Sequence, residues 1–136
     1  MISGLNHLTL AVRDVEESFD FYSRVLGLVP VARWPKGAYF RAGEFWVAIV
    51  LDRSARSGPL PEYTHAAFSV SPEDFMKASE RIRASGATIW QENRTEGDSL
   101  YFLDPTGHKL EIHASDLDAR IRWAREHPWE GLEILE

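Results

Sequence analysis

Hydrophobic and polar residues alternate over residues 4–12, and this period of two predicts a β-strand with His7 and Thr9 on the same face. Over residues 15–26 the hydrophobic positions recur every three or four residues, which predicts an amphipathic helix that ends at Gly27. Short apolar runs after the helix predict three more strands, at residues 29–34, 38–41 and 44–51. The first part of the chain therefore has the element order βαβββ.

The same order of elements recurs in the second part of the chain. A strand over residues 64–70 and a helix over residues 72–85 come before predicted strands at residues 86–91, 99–103 and 109–113. His65 stands at the head of this repeat as His7 stands at the head of the first, at an offset of 65 minus 7, or 58 residues. A repeat of that length is a whole supersecondary unit.

The repeat predicts an α+β fold with two tandem βαβββ modules in one domain, residues 1–136. Module one covers about residues 1–57, module two covers about residues 62–115, and a C-terminal helix follows over about residues 116–126. Residues 52–61, between the modules, are rich in serine, glycine and proline. This linker is too short to separate independent domains.

Composition narrows the chemistry and the partners. The chain has 136 residues, 44% of them hydrophobic, which is enough for one compact domain with a buried core. It has no cysteine, so disulfides, thiolate metal ligands and a cysteine nucleophile are excluded. The formal net charge of -6 argues against a nucleic-acid partner. No apolar run approaches the roughly 20 residues that span a bilayer, and no signal sequence is recognisable, so we expect a cytoplasmic protein without a membrane partner.

Glu111 is the most unusual residue of the predicted strands, because it lies between two apolar neighbours. A carboxylate buried in this way is costly unless it is paired or bound to a cation. With His7 and His65, Glu111 forms a set of two histidines and one carboxylate, which suits a divalent first-row metal ion acting as a Lewis acid. Imidazole and carboxylate ligands suit manganese, iron, cobalt, nickel and zinc, so they do not identify the metal.

Other histidines compete with this ligand set. A single histidine on a strand is usually structural, although two at matching positions of a repeat are harder to dismiss. His113 shares the strand face of Glu111 and is the main rival ligand. His108, in a turn, and His127, beside a proline near the end of the chain, are expected to be solvated.

Four segments carry a resemblance to a known family: residues 4–12, 63–65, 93–99 and 101–111. They resemble the fosfomycin-resistance thiol transferases of the FosA type, within the vicinal-oxygen-chelate (glyoxalase and bleomycin-resistance) superfamily. The likeness covers essentially the whole chain. The Asp-Pro-x-Gly-His turn that begins at Asp104 is shared by many members of the superfamily, whereas the Asn-Arg-Thr-Glu-Gly-Asp-Ser loop over residues 93–99 is far more specific to the FosA branch.

The resemblance implies a fold, a reaction and an assembly. The fold is the vicinal-oxygen-chelate fold, in which the two modules form a cup-shaped mixed sheet. His7, His65 and Glu111 hold Mn(II), and the enzyme adds the thiol of glutathione to the epoxide of fosfomycin. The working unit is a domain-swapped homodimer in which modules of different chains complete each site.

The resemblance also implies roles for other side chains. Thr9 and Tyr39 are implied in catalysis, with Tyr39 near the incoming thiol, and Trp46 is implied as an apolar wall near the epoxide carbons. The substrate-binding residues it implies are Thr9, Trp46, Gln91, Thr95, Ser99, Tyr101 and Arg120. The potassium ligands it implies are Asn93, Thr95, Glu96, Gly97 and Ser99. Without the resemblance, loop capping would explain Thr95 and Ser99, and core packing would explain Trp46.

The chain departs from the family pattern at Gln91. The FosA type commonly carries a lysine there, which grips the phosphonate. An amide can still donate hydrogen bonds, but a neutral bond is worth about half a charge-assisted one, so we expect weaker binding of the phosphonate. In the strand at residues 44–51, Val47 and Ala48 stand where a four-ligand relative of the glyoxalase type would carry another carboxylate, which favours the three-ligand site over an isomerase.

Three functions are compatible with these observations. The first is the metal-dependent thiol transferase. The second is another enzyme on the same scaffold, either an epoxide hydrolase that uses water or a transferase that uses a different thiol or substrate. The third is a non-catalytic protein that sequesters a drug in the dimer groove. Such a binder needs no metal, so His7, His65 and Glu111 argue against it.

Overall fold

The computed structural model describes residues 1–136 and contains the order βαβββ twice. The first module consists of β1 (His7–Val12), α1 (Val15–Asp20), β2 (Val29–Trp34), β3 (Gly37–Ala42) and β4 (Phe45–Leu51). The second consists of β5 (Ala66–Ser69), α2 (Phe75–Ala84), β6 (Ile89–Gln91), β7 (Ser99–Leu103) and β8 (Lys109–His113), and the helix α3 (Leu117–Glu126) follows it. The predicted α+β fold class is confirmed. None of the helices is long and apolar enough to cross a lipid bilayer.

The strands form two four-stranded sheets within the chain. Their orders are β1-β4-β3-β2 and β5-β8-β7-β6. In each sheet the first pair is parallel and the other pairs are antiparallel, so both sheets are mixed. The mixed sheet that the sequence predicted is therefore present as two separate halves, and β1 and β5 each lie at an open edge of their own half.

The first predicted helix is modified in its second half. Asp14 begins it, because its carboxylate accepts a hydrogen bond of 3.0 Å from the backbone N–H of Glu17. After Asp20 the helix widens into a π-helical turn over Phe21–Val25, and Gly27 ends the segment with a φ of 75°. The sequence pattern placed a helix here correctly, but hydrophobic spacing does not distinguish a π-turn from an α-turn.

The core lies between the inner faces of the two sheets and the helices. Fully buried residues come from both modules and include Val12, Phe40, Val47, Phe102 and Leu110. Because the chain's two modules share this core, burial of their apolar faces holds them together.

A buried hydrogen bond also joins the two modules. The Tyr22 hydroxyl donates to Oδ2 of Asp104 at 2.6 Å, and both side chains are buried. Burial, the charge of Asp104 and this hydrogen bond together raise the pKa of Tyr22 well above its usual value. The other oxygen of Asp104 accepts the backbone N–H groups of Thr106, Gly107 and His108.

The expectation that His108 is solvated is wrong. The tight turn around Asp104 directs the His108 ring inward, where its Nε2 lies 2.7 Å from the carbonyl oxygen of Ala11 on β1. Only 8% of His108 is exposed, so the residue ties the Asp-Pro-x-Gly-His turn to the first module. His127 is exposed, as expected.

Candidate metal centre and substrate site

The outer face of the first sheet carries four of the predicted site residues. In the strand register His7 lies beside Trp46, and Thr9 and Tyr39 both lie beside Ala48. The rings of His7 and Trp46 stack with centroids 4.2 Å apart, and Tyr39 meets Trp46 edge-on at 5.2 Å. Trp46 is 39% exposed, so the alternative that it packs in the core is wrong. An aromatic surface of this kind on a sheet face is typical of a binding site.

The outer face of the second sheet carries most of the others. Tyr101 lies between Glu111 and Gln91 in the strand register, and Ser99 lies beside His113. Since side chains alternate between the faces of a strand, these residues point to the same side. His65, just before β5, reaches this face, because its Nε2 lies 3.0 Å from Oε1 of Glu111.

The contact between His65 and Glu111 requires a proton or a metal ion between the two side chains. His65 Nδ1 lies 2.9 Å from the carbonyl oxygen of Tyr63, and a carbonyl accepts only, so Nδ1 carries the hydrogen. In a neutral imidazole Nε2 then has a lone pair, and this lone pair faces a carboxylate oxygen at 3.0 Å. Two acceptors at that distance are stable only with a proton or a metal ion between them. Glu111 is 6% exposed, which makes an uncompensated negative charge there expensive.

The two predicted histidine ligands share a further feature. His7 Nδ1 lies 2.7 Å from Oδ1 of Asn6, as His65 Nδ1 lies near the Tyr63 carbonyl, so both rings have their Nδ1 occupied and their Nε2 available. Histidines that bind metals almost always donate their second N–H in this way. His113 Nδ1 is occupied as well, since it lies 2.6 Å from the Ser99 hydroxyl. His65 is favoured as the ligand next to Glu111, because it faces Oε1 with Nε2, whereas His113 approaches Oε2 with its occupied Nδ1, at 3.5 Å.

One chain does not complete the three-ligand set. His65 and Glu111 are together on the second sheet, whereas His7 lies on the first sheet, and no group of three His, Asp or Glu side chains within the chain is arranged to hold a metal ion. The donor chemistry of His65 and Glu111 fits a divalent ion. A metal ion bound by this pair would need a further donor from another part of the chain or from another molecule.

The loop over residues 93–99 is closed by its own hydrogen bonds. Oδ1 of Asn93 accepts from the backbone and the hydroxyl of Thr95, at 3.0 and 2.8 Å, and Nδ2 of Asn93 donates to the Gly97 carbonyl at 2.8 Å. This is the loop capping that the sequence left open for Thr95. The predicted potassium donors of the loop are therefore bonded to protein groups.

Arg120, a predicted phosphonate ligand, is bound to the same loop. Its Nε lies 3.3 Å from Oε2 of Glu96, and its guanidinium also donates to the Glu96 carbonyl at 3.1 Å. Ser115 holds the other oxygen of Glu96 at 2.9 Å. An anionic substrate has to compete with Glu96 for Arg120.

Gln91 contacts a group of aromatic side chains around His65 that the sequence did not reveal. Its amide nitrogen donates to the Tyr63 hydroxyl at 3.0 Å. Tyr63, Trp90 and Tyr101 surround His65, with ring centroids 4.9, 5.4 and 5.9 Å from the imidazole. Tyr63 stands two residues before His65, and this spacing was a signal that the two side chains share a face. No local pattern indicated Trp90, which lies at a register irregularity of β6.

Comparison with known proteins agrees with this geometry. Residues 4–112 match the family model of the Glyoxalase/Bleomycin resistance protein/Dioxygenase superfamily. The chain is 48% identical over 134 residues to the glutathione transferase FosA of Serratia marcescens, which covers 97% of this chain and 95% of the relative. It is 35% identical to the metallothiol transferase FosB of Shouchella clausii, covering 89% and 86%.

A solved structure shows the same fold. It is a mutant of the fosfomycin resistance protein FosX from Listeria monocytogenes in complex with Mn(II) and 1S,2S-dihydroxypropylphosphonic acid. The TM-score is 0.77 at 31% identity, and the match covers 90% of this chain and 98% of the other. The family match and the FosA relative both extend over most of the chain. This chain belongs to the glyoxalase/bleomycin resistance protein/dioxygenase superfamily.

Proposed function

We propose that this protein inactivates fosfomycin by adding the thiol of glutathione to its epoxide, with Mn(II) held by His7, His65 and Glu111. The observation that carries the proposal is the pair of facing acceptors, His65 Nε2 and Glu111 Oε1, 3.0 Å apart on the outer face of the second sheet. The 48% identity to a glutathione transferase supports the choice of glutathione as the thiol. We also propose that the enzyme acts in the cytoplasm, where glutathione is the main thiol pool.

A homodimer would complete the site. Each of the edge strands β1 and β5 begins at or beside a predicted ligand, His7 or His65, and each has one side without a partner strand in the chain. Exposed edges of this kind readily pair with another chain. If β1 of one copy lies along β5 of a second copy, His7 of the first joins His65 and Glu111 of the second. The exposed rings of Tyr39 and Trp46 would then face the substrate groove.

The side chains around this centre fit an anionic epoxide. His7, His65 and Glu111 would hold the metal ion, which would supply Lewis acidity for opening the epoxide. Thr9, on the strand face of His7, would offer a hydroxyl to the phosphonate, and Tyr101 and Gln91 would add further donors. Thr95 and Ser99 would donate only after their hydroxyl hydrogens leave Asn93 and Glu111. Tyr39 orients the thiol, and Trp46 keeps water from the epoxide carbons. Arg120 contributes its charge when it leaves Glu96.

The potassium proposal rests on the loop over residues 93–99. Asn93, Thr95, Glu96, Gly97 and Ser99 carry the oxygen atoms that would hold the ion. Each of these residues is hydrogen-bonded to a protein group in the structure, but a carbonyl or carboxylate oxygen that accepts one bond keeps a second lone pair for an ion.

A second candidate is an epoxide hydrolase. The FosX neighbour supports it, because the dihydroxypropylphosphonate bound there differs from an epoxypropylphosphonate by one water molecule. The test is an assay of Mn(II)-loaded protein with fosfomycin and, in separate arms, glutathione, cysteine, bacillithiol or water alone, with the products identified by mass. The proposal predicts a glutathione adduct and slow turnover without thiol. Diol formation at the same rate without any thiol would replace it with the hydrolase.

A further inference from the structure

A serine hydroxyl lies between the proposed carboxylate ligand and the rival histidine. Oγ of Ser99 is 2.6 Å from Oε2 of Glu111 and 2.6 Å from Nδ1 of His113. Ser99 is 9% exposed and Glu111 is 6% exposed, so water does not compete strongly for these atoms. Both contacts are at the short end of the hydrogen-bond range.

The number of hydrogens available determines which group donates in each of the two contacts of Ser99. An ionised carboxylate accepts only, and a hydroxyl has one hydrogen. Ser99 therefore donates to Glu111, and His113 Nδ1 must carry the hydrogen that Ser99 accepts. The result is a chain from His113 Nδ1–H to the Ser99 hydroxyl to Glu111 Oε2, in which each bond polarises the next.

The backbone keeps this chain in register. Ser99 and His113 are direct partners across β7 and β8, so the antiparallel ladder sets the distance between them. Gly97, with a φ of 81°, lets the loop close over the histidine ring, because a Cβ at that position would lie 3.2 Å from Cε1 of His113 and 2.7 Å from Cβ of Ser115. The ring has little freedom to turn away.

We propose that His113 is a positioning residue for Glu111 and acts through Ser99. By donating to Ser99, His113 directs the hydroxyl hydrogen to Oε2 of Glu111 and leaves Oε1 facing His65, where the cation binds. This inference rests on the proposed function, because it assumes that Glu111 is a metal ligand. It gives Ser99 a role beyond the substrate contact that the family resemblance implies: in the unliganded site its only hydrogen is already used by Glu111.

The test measures binding of Mn(II) alone to the full-length protein, by the electron paramagnetic resonance signal of free Mn(II). Removal of a hydrogen-bond partner of a metal ligand typically weakens metal binding by about 10- to 100-fold, and we expect this loss for both His113→Ala and Ser99→Ala. His113→Asn, whose amide can donate to Ser99, is expected to recover most of the affinity. His127→Ala, at an exposed histidine, is the matched control and is expected to bind like the unmodified protein.

The double variant separates a relay from two unrelated losses. If His113 acts through Ser99, the variant with both alanines binds Mn(II) about as weakly as Ser99→Ala alone, whereas independent effects would multiply. Two results would overturn the proposal. One is a double variant whose loss of Mn(II) affinity equals the product of the two single losses, and the other is an unchanged affinity in His113→Ala while Glu111→Ala loses the ion. If the unmodified protein does not bind Mn(II), the proposed function fails together with it. If circular dichroism shows that His113→Ala does not fold, the Mn(II) affinities of Ser99→Ala and His113→Asn are compared instead. The proposal predicts about 10- to 100-fold weaker binding for Ser99→Ala and recovery of most of the affinity for His113→Asn, and an unchanged affinity in Ser99→Ala would overturn it.

Discussion

Gln91 provides the most informative test of the substrate, because it stands where FosA-type relatives commonly have a lysine. Its amide donates to the Tyr63 hydroxyl at 3.0 Å and lies on the same sheet face as Glu111. Gln91→Lys would place an ammonium on this face. If the substrate is a phosphonate, the variant is expected to bind it more tightly.

The size of the gain follows from the hydrogen bond that changes. A hydrogen bond to a charged group contributes about 1.5–3 kcal/mol, against about 0.5–1.5 kcal/mol for a neutral one, so the exchange is worth roughly 1–2 kcal/mol. That corresponds to a KM for fosfomycin about five- to thirty-fold lower. The lost bond to Tyr63 reduces the gain only slightly, because Gln91 is partly accessible to water and Tyr63 is exposed.

The assay is glutathione addition at fixed Mn(II) with fosfomycin varied. Gln91→Met has a similar length and no donor, and it is the matched control; its KM is expected to rise. Tyr63→Phe tests whether the bond to Tyr63 orients the amide, and a small rise in KM is expected. A KM for Gln91→Lys that is unchanged or higher would contradict the reasoning and indicate that the pocket is adapted to a different substrate.

Three further predictions concern the metal, the loop and the core. His7→Ala and Glu111→Ala should abolish tight Mn(II) binding and glutathione addition together, as titration and product assays would show, while His113→Ala should be milder. Potassium should raise the rate over sodium, and equal rates after exhaustive dialysis would remove residues 93–99 from any cation role. Tyr22→Phe should lower the free energy of unfolding by about 1–3 kcal/mol, because Asp104 loses its buried donor. Since the pKa of Tyr22 is raised by folding, this difference, read from urea unfolding, should shrink above pH 10, where the unfolded tyrosine ionises.

The faces of the strands could be predicted from the sequence, because the side-chain period in a strand is two. This rule placed His7 with Thr9 and Glu111 with His113, as the structure has them. The 58-residue offset, 65 minus 7, predicted the repeated order of elements, because a repeat of that length is a whole supersecondary unit.

Contacts between distant parts of the chain could not be predicted in this way. The burial of His108 depends on how the second module docks on Ala11, and the pairing of Arg120 with Glu96 depends on where α3 returns to the loop. No local pattern carries that information. The packing of the modules also sets the separation of His7 from His65. Because the two histidines lie on different sheets of one chain, the proposed metal centre needs a second copy of the chain.

A mixed dimer tests the central claim most directly. His7→Ala and Glu111→Ala chains, each inactive alone, are refolded together in equal amounts, and Mn(II) binding and glutathione addition are measured. If His7 of one copy completes the site of the other, each mixed dimer has one intact site, and random pairing restores about a quarter of the sites of the unmodified protein. No recovery, in a sample in which mixed dimers are demonstrated by mass spectrometry, would contradict the shared metal centre.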